Sequence, residues 1–186
     1  TEIDISAELL KDTLRRQAIV NAGLLFQFRE QVGSRFETSE FIYKDGITEY
    51  LNENIGEEKI SSVQFWSGER KGRDRDDRPE YTVKINLAFC FSNKHKLLEY
   101  YHNSSWLENG GSPDRAVRNA FVYALDKYLH AHGKYTKTDA KITFVDIADC
   151  LVLVINSFSS VTSYENQTKK AITNTFIYEA MCESIK

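Results

Sequence analysis

Proline and cysteine are scarce in this chain, with two and three among 186 residues, and neither sign of charge dominates. Each shortage excludes something. With two prolines and nine glycines there is no Pro- or Gly-rich linker, and no internal repeat or low-complexity segment breaks the chain. Cys90, Cys150 and Cys182 are odd in number, far apart and form no Cys-x-x-Cys pair. That argues against a disulfide framework and against a metal site of the zinc type, and for a reducing, cytoplasmic setting. Lys and Arg total 24 against 27 Asp and Glu, so the net charge of −3 gives no global field that would capture nucleic acid or an anionic membrane. Any contact with DNA must be local. No apolar run reaches membrane-spanning length, and the opening "TEIDIS" has neither the basic nor the apolar part of a signal peptide, so no membrane partner is expected. Also missing are a Gly-x-Ser-x-Gly elbow, a Walker-type loop and a Rossmann glycine fingerprint. A self-sufficient enzyme is not visible.

What is present is an ordinary globular composition, 41% hydrophobic over 186 residues, enough for one compact domain and a smaller appendage. Helical spacing of Leu9, Leu10, Thr13, Leu14 and Ala18 predicts an amphipathic helix capped by Ser6 and stopped by Gly23. A hairpin turning at Gly33-Ser34 follows, then a short helix over 47–54. Alternation of Tyr81, Val83, Ile85, Leu87, Phe89 and Phe91 with smaller or polar residues marks a half-buried strand. "KLLEYYHN" reads as another strand, and "PDRAVRNAFVYALDKYLHAHG" as a long helix with Ser112 as cap, Tyr128 on the inward face and Gly133 at the end. A helical turn near "VDIADC", the apolar strand "CLVLVINSF" and a last helix from about Ala171 complete the pattern. Strands grouped before helices point to an α+β fold.

Four charged features carry candidate chemistry. Lys169 and Lys170, in "ENQTKKAI", would lie in the first turn of the last helix, where a cation is disfavoured by about 0.3–1 kcal/mol unless an anion such as a terminal phosphate converts repulsion to attraction. Arg115 and Arg118, three apart on the long helix, form a short basic stripe that Asp114 or Glu108 could neutralise. The run from Glu69 to Arg78 interleaves five basic with four acidic side chains and reads as a solvated hairpin tip; its "DRDD" is a poor magnesium site because the intervening arginines oppose the cation. His130 and His132 are two apart and point to different helix faces, unlike the i, i+4 pair that grips zinc, while His95 and His102 have no ligand partner near them in sequence.

Taken in order, "LRRQAIVNAG", "FIYKDGITEYLN", "ENGGSPDRAVRNAFVYALDKY", "VDIADCLVLVINS" and "SYENQTKKAI" resemble the signatures of the ATPase region of type II DNA topoisomerases, the DNA gyrase B and topoisomerase IV B family. The resemblance covers nearly the whole chain. It implies a segment in which 1–23 is the last helix of the ATPase domain and 24–186 is the transducer domain, a two-layer fold with a left-handed βαβ crossover. In that family the lysine of Gln-Thr-Lys reaches the γ-phosphate of ATP, which implies a catalytic and nucleotide-binding role for Lys169 with Gln167 beside it. A basic residue of the long helix that faces the transported DNA duplex aligns with Arg118, with Arg115 next to it. ATP and Mg2+ would be cofactors of the longer enzyme, held stably only with the ATPase domain. The partners implied are that domain and the cleavage domain of the same chain, a second B-type subunit and the A-type subunit. Ser112-Pro113 stands where the family usually has Thr-His, and Asp149-Cys150 where it has Glu-Gly. Two other readings share the fold: the second domain of a mismatch-repair-type ATPase, and a non-catalytic α+β module that binds nucleic acid or protein.

Overall fold

The computed structural model describes residues 6–186. Helix α1 (Ala7–Val20) begins where expected, with the Ser6 hydroxyl accepting from the Leu9 amide at 3.3 Å, and Gly23 at φ +80° turns the chain away after it. Strands β1 (Phe26–Val32) and β2 (Arg35–Phe41) form an antiparallel hairpin closed by Gly33-Ser34, followed by α2 (Ile47–Ile55).

The central sheet is built from β3 (Gln64–Gly72), β4 (Tyr81–Phe91), β5 (Leu97–His102), β6 (Ser105–Trp106) and β8 (Leu151–Ser159), in the order β3-β4-β8-β5-β6. β4 runs antiparallel to β8 and β5 parallel to it, so the chain must cross back over the sheet between β5 and β8. That crossover holds the two-residue β7 (Gly110–Gly111), the long α3 (Ser112–Ala131) and the short α4 (Phe144–Ala148). After β8 come another two-residue strand, β9 (Ala171–Ile172), and α5 (Thr175–Ile185). The fold is α+β with a mixed sheet.

β8 explains why its sequence is an unbroken apolar run. Leu151, Leu153 and Ile155 face a core shared with Val117 and Phe121 of α3 and Ile177 and Met181 of α5. Val152 and Val154 face a second core with Ala18 and Ile19 of α1, Leu51 of α2, and Ala88 and Cys90 of β4. A strand covered on both faces has no polar side to show. The body of sheet and α3/α5 is thus joined on its opposite face by α1 and α2, and the end of β4, expected to be half-buried, is buried on both faces at Leu87, Ala88 and Cys90.

Three local readings change. Tyr128 points outward, 53% exposed, and stacks on His132. Ser112 is not the cap of α3 but its first residue, fully buried, with Gly111 at the cap position. The last helix starts at Thr175 rather than near Ala171, because Ala171 and Ile172 pair in parallel with Gly110 and Gly111.

His102, at the end of β5, is fully buried between two hydroxyls: Nδ1 lies 2.8 Å from Ser157 Oγ, and Nε2 2.8 Å from Thr162 Oγ1. Each hydroxyl can donate or accept, so neutral imidazole is satisfied in either tautomer. Burial lowers its pKa to about 4, against about 6.5 for an exposed histidine. Below 6.5 the unfolded chain therefore binds a proton that the folded chain refuses, and stability rises with pH across this window. About 3 kcal/mol of stability present at neutral pH should vanish as the pH falls from about 6.5 to about 4. Urea melts of the wild-type chain and His102→Asn across that range check this. The pH dependence of the difference between the two chains should carry the whole effect, and parallel curves would refute it.

Candidate functional site

The segment 161–174, between β8 and α5, forms a loop with two arms. Tyr164 bridges Ile172, the Glu165 amide donates to the Ala171 carbonyl at 3.0 Å, and the Thr173 amide donates to the Ser163 carbonyl at 2.8 Å. At the tip, Asn166 Oδ1 accepts from the Thr168 amide at 3.1 Å and from its hydroxyl at 2.5 Å, while the Lys169 amide donates to the Asn166 carbonyl at 3.2 Å. This is the local turn that Asn makes well. It leaves Lys169 in the left-handed region at φ +58°, which is uncommon for a residue with a side chain.

The second arm is pinned to the start of α3. Gly110 and Gly111 pair with Ala171 and Ile172, and the Asn109 amide donates to the Lys170 carbonyl at 2.9 Å. A Cβ on Gly111, at φ +81°, would sit 2.2 Å from the Ile172 carbonyl oxygen, so only glycine permits this approach. The Gly-Gly pair and the Gln-Thr-Lys loop, 56 residues apart in sequence from Gly111 to Gln167, are parts of one site.

Neither lysine lies in the first turn of a helix. The N-terminus of α5 is instead held by an acid from a distant part of the sequence: Asp74, in the β3-β4 connection, accepts from the Phe176 amide at 2.9 Å, from the Asn174 side chain at 2.9 Å and from the Tyr81 hydroxyl at 3.0 Å. An acid is what a helix N-terminus favours. The rest of the tip is as expected: Arg73 and Lys71 pair with Glu80, and Arg75 and Arg78 with Asp77. Asp74 and Asn174 were not legible as site residues because their contacts span 100 residues.

The two lysines part company. The Lys170 ammonium pairs with the Glu108 carboxylate. Lys169 Nζ lies 5.4 Å from the centroid of the Tyr164 ring, and among the described residues no carboxylate forms an ion pair with it. Gln167 is exposed beside it at the tip. Arg118 Nε donates to Asp114 at 2.7 Å, and its guanidinium lies 4.6 Å from the Phe144 ring; that hydrogen bond raises the Arg118 pKa further. Asp114 also accepts from the Tyr100 hydroxyl at 2.8 Å, and burial drives the Tyr100 phenol well above its usual range. Arg115 turns toward α5: it donates to Ser112 Oγ at 3.2 Å and lies 5.7 Å from the Tyr178 ring. Glu108 was one of two acids that could have neutralised the arginine stripe; it serves Lys170, and Asp114 serves Arg118.

Among the described residues no group of three or more His, Cys, Asp or Glu converges on a common point, and no helix is long and apolar enough to cross a membrane. Similarity to known proteins agrees with the geometry. The chain is similar to the DNA gyrase B protein of Mycoplasmoides gallisepticum, 25% identical over 182 residues that cover 96% of this chain and 28% of that protein. It spans less than a third of the curated relatives it matches. Its fold is similar to that of the 43K ATPase domain of Thermus thermophilus gyrase B in complex with an aminocoumarin, with a TM-score of 0.71 and 18% identity over 99% of this chain and 47% of that one. The topoisomerase IV ATP-binding domain of Francisella tularensis, in complex with a small-molecule inhibitor, superposes with a TM-score of 0.71 and 18% identity, covering 100% of this chain and 47% of that one. The family model for DNA gyrase B matches residues 46–186, from the start of α2 through the Gly-Gly helix and the lysine loop to the end of α5, and on that match this chain belongs to the DNA gyrase B family.

Proposed function

We propose that the chain is the transducer segment of an ATP-dependent type II DNA topoisomerase, with 1–23 contributed by the preceding ATPase domain and 24–186 forming the transducer. In this reading Lys169, with Gln167 beside it, contacts the γ-phosphate of ATP bound in that ATPase domain, and the contact couples nucleotide state to movement of DNA through the enzyme. The observation that carries the proposal is the divergence of two adjacent lysines. Lys170 is neutralised by Glu108, whereas Lys169 stands at the loop tip in a left-handed backbone without an ion-pair partner among the described residues.

An exposed ammonium on a pinned loop suits the end of a polyphosphate, because a charge-assisted contact of about 1.5–3 kcal/mol is gained with little further ordering of the chain. ATP supplies the phosphoanhydride whose cleavage removes the terminal phosphate, and with it the partner of Lys169. A ligand shifts a domain equilibrium only through contacts that differ between states, and Lys169 supplies one. Magnesium would be bound with the nucleotide in the ATPase domain.

In the longer protein, Lys169→Ala should lower ATP turnover by about ten- to a hundredfold and uncouple it from strand passage. Lys170→Ala removes one exposed ion pair and should change turnover little. Steady-state ATP hydrolysis by both variants, with and without DNA, is the measurement; equal and small effects would reduce the pair to surface charge.

The arginines of α3 are proposed to meet the phosphates of the transported duplex, with DNA, a second B-type subunit and the A-type subunit as partners of the whole enzyme. Because Arg118 already shares its charge with Asp114, Arg115→Gln should remove about one unit from the salt-dependence slope of DNA binding, and Arg118→Gln less. DNA-independent ATP hydrolysis should be unaffected by either. Unchanged slopes for both variants would take α3 out of the DNA contact.

A further inference from the structure

The first arm of the lysine loop lacks a glycine pin. What holds it is the turn between β5 and β6. Asn103 and Ser104, at φ +48° and +62°, form a tight turn in a conformation that side chains rarely adopt. From this turn the Asn103 side chain grips the exit of β8: its amide nitrogen donates to the Ser159 carbonyl at 3.0 Å and to Thr162 Oγ1 at 3.1 Å, and its oxygen accepts from the Ser159 amide at 3.0 Å. His102, one residue earlier, holds Ser157 and Thr162 through its two ring nitrogens. Thr162 thus takes contacts from both residues at the point where the chain leaves the sheet for the loop tip.

The same turn is gripped from the other side by α1. Gln17 donates to the Ser104 carbonyl at 2.7 Å, and the Ser104 hydroxyl donates to Asn21 at 3.2 Å. The Arg16 guanidinium stacks 4.0 Å from the Trp106 ring on the following strand and lies 3.7 Å from Glu99 on the preceding one. A strained turn persists only where its surroundings over-determine it. Here those surroundings are α1 on one side and the root of the lysine loop on the other.

We propose that His102 and Asn103 are positioning residues for Lys169: through the Thr162 hydroxyl they fix the first arm of the loop to the β5-β6 turn, which α1 grips from its other side. This rests on the reading of Lys169 as the nucleotide contact. It assigns to a polar cluster outside the lysine loop the task of holding the ammonium in register while the domains close.

The test is made in the full-length chain, with Thr162→Val as the principal variant. It keeps the shape of a half-buried side chain and replaces the hydroxyl by a methyl, while His102 Nε2 retains the Ser159 hydroxyl at 3.4 Å. The kcat for ATP should fall about three- to tenfold, because part of the loss of the two hydrogen bonds that Thr162 Oγ1 makes with His102 and Asn103 reaches the lysine, with KM nearly unchanged, and Thr162→Ser should restore it. In a Lys169→Ala background the same Thr162→Val substitution should cause no further loss, because its effect passes through the lysine. Three results would overturn the inference while leaving the Lys169 reading intact: wild-type turnover in Thr162→Val, no rescue by Thr162→Ser, or an undiminished loss in the Lys169→Ala background. Wild-type turnover in Lys169→Ala alone would overturn both.

Discussion

The site depends on one close backbone approach, that of Gly111 to Ile172. A helix and a parallel two-residue pairing compete for residues 171–172, and the pairing wins because the glycine leaves room for a carbonyl where a Cβ would clash. Everything C-terminal follows. The helix is delayed to Thr175, its N-terminus falls where Asp74 can cap it, and the residues between Tyr164 and Ile172 become a braced loop instead of a helical turn. The Gly-Gly pair is therefore a docking surface for the lysine loop as much as a prelude to α3.

Two cores divide the labour around that loop. α3 and α5 pack on one face of β8 and carry the second arm, while α1 and α2 pack on the other and brace the first arm through the β5-β6 turn. Because β8 is buried on both faces, a shift of either helical layer must be taken up by the same strand, and tightly packed interiors respond to such shifts as steps rather than smoothly. The loop emerges directly from the end of that strand. Its position is consequently set by both layers, which suits the coupling role proposed for it.

Much of the fold was legible from local pattern. Ser6 as a cap, the Gly33-Ser34 turn, the alternation from Tyr81 to Leu87 of β4 and the apolar face of α3 as far as Phe121 each use interactions within a few residues, and each forms as expected. Errors fall where distant segments decide. Tyr128 has the right spacing for the α3 core, but that helix outruns the sheet beneath it and its last turns are exposed. Ala171 leads into a helical pattern, yet it pairs with Gly110 as Ile172 pairs with Gly111. Asp74 lies in a run where four acids and five bases would screen one another, and nothing local distinguishes the one acid that reaches Phe176. His102 carries no signal at all, since a histidine at a strand end reads the same whether it meets solvent or two hydroxyls. The lysine motif was legible as a motif, whereas its geometry was not.

That correction alters the electrostatic account of Lys169. If it occupied a helix N-terminus, the dipole would oppose the ammonium whenever no anion was bound. In the loop it faces no such field: α5 is already capped by Asp74, Lys170 is neutralised by Glu108, and the ammonium lies over the Tyr164 ring, which favours a cation by about 0.5–1 kcal/mol. Lys170 and Asp74 are paired and, among the described residues, Lys169 has no ion-pair partner, so its ammonium is a single point charge rather than part of a diffuse basic patch. On the reading proposed for Lys169, a point charge on a fixed loop would discriminate between the presence and the absence of one phosphate more sharply than a patch can, because its interaction energy would be concentrated in a single contact that nucleotide cleavage removes.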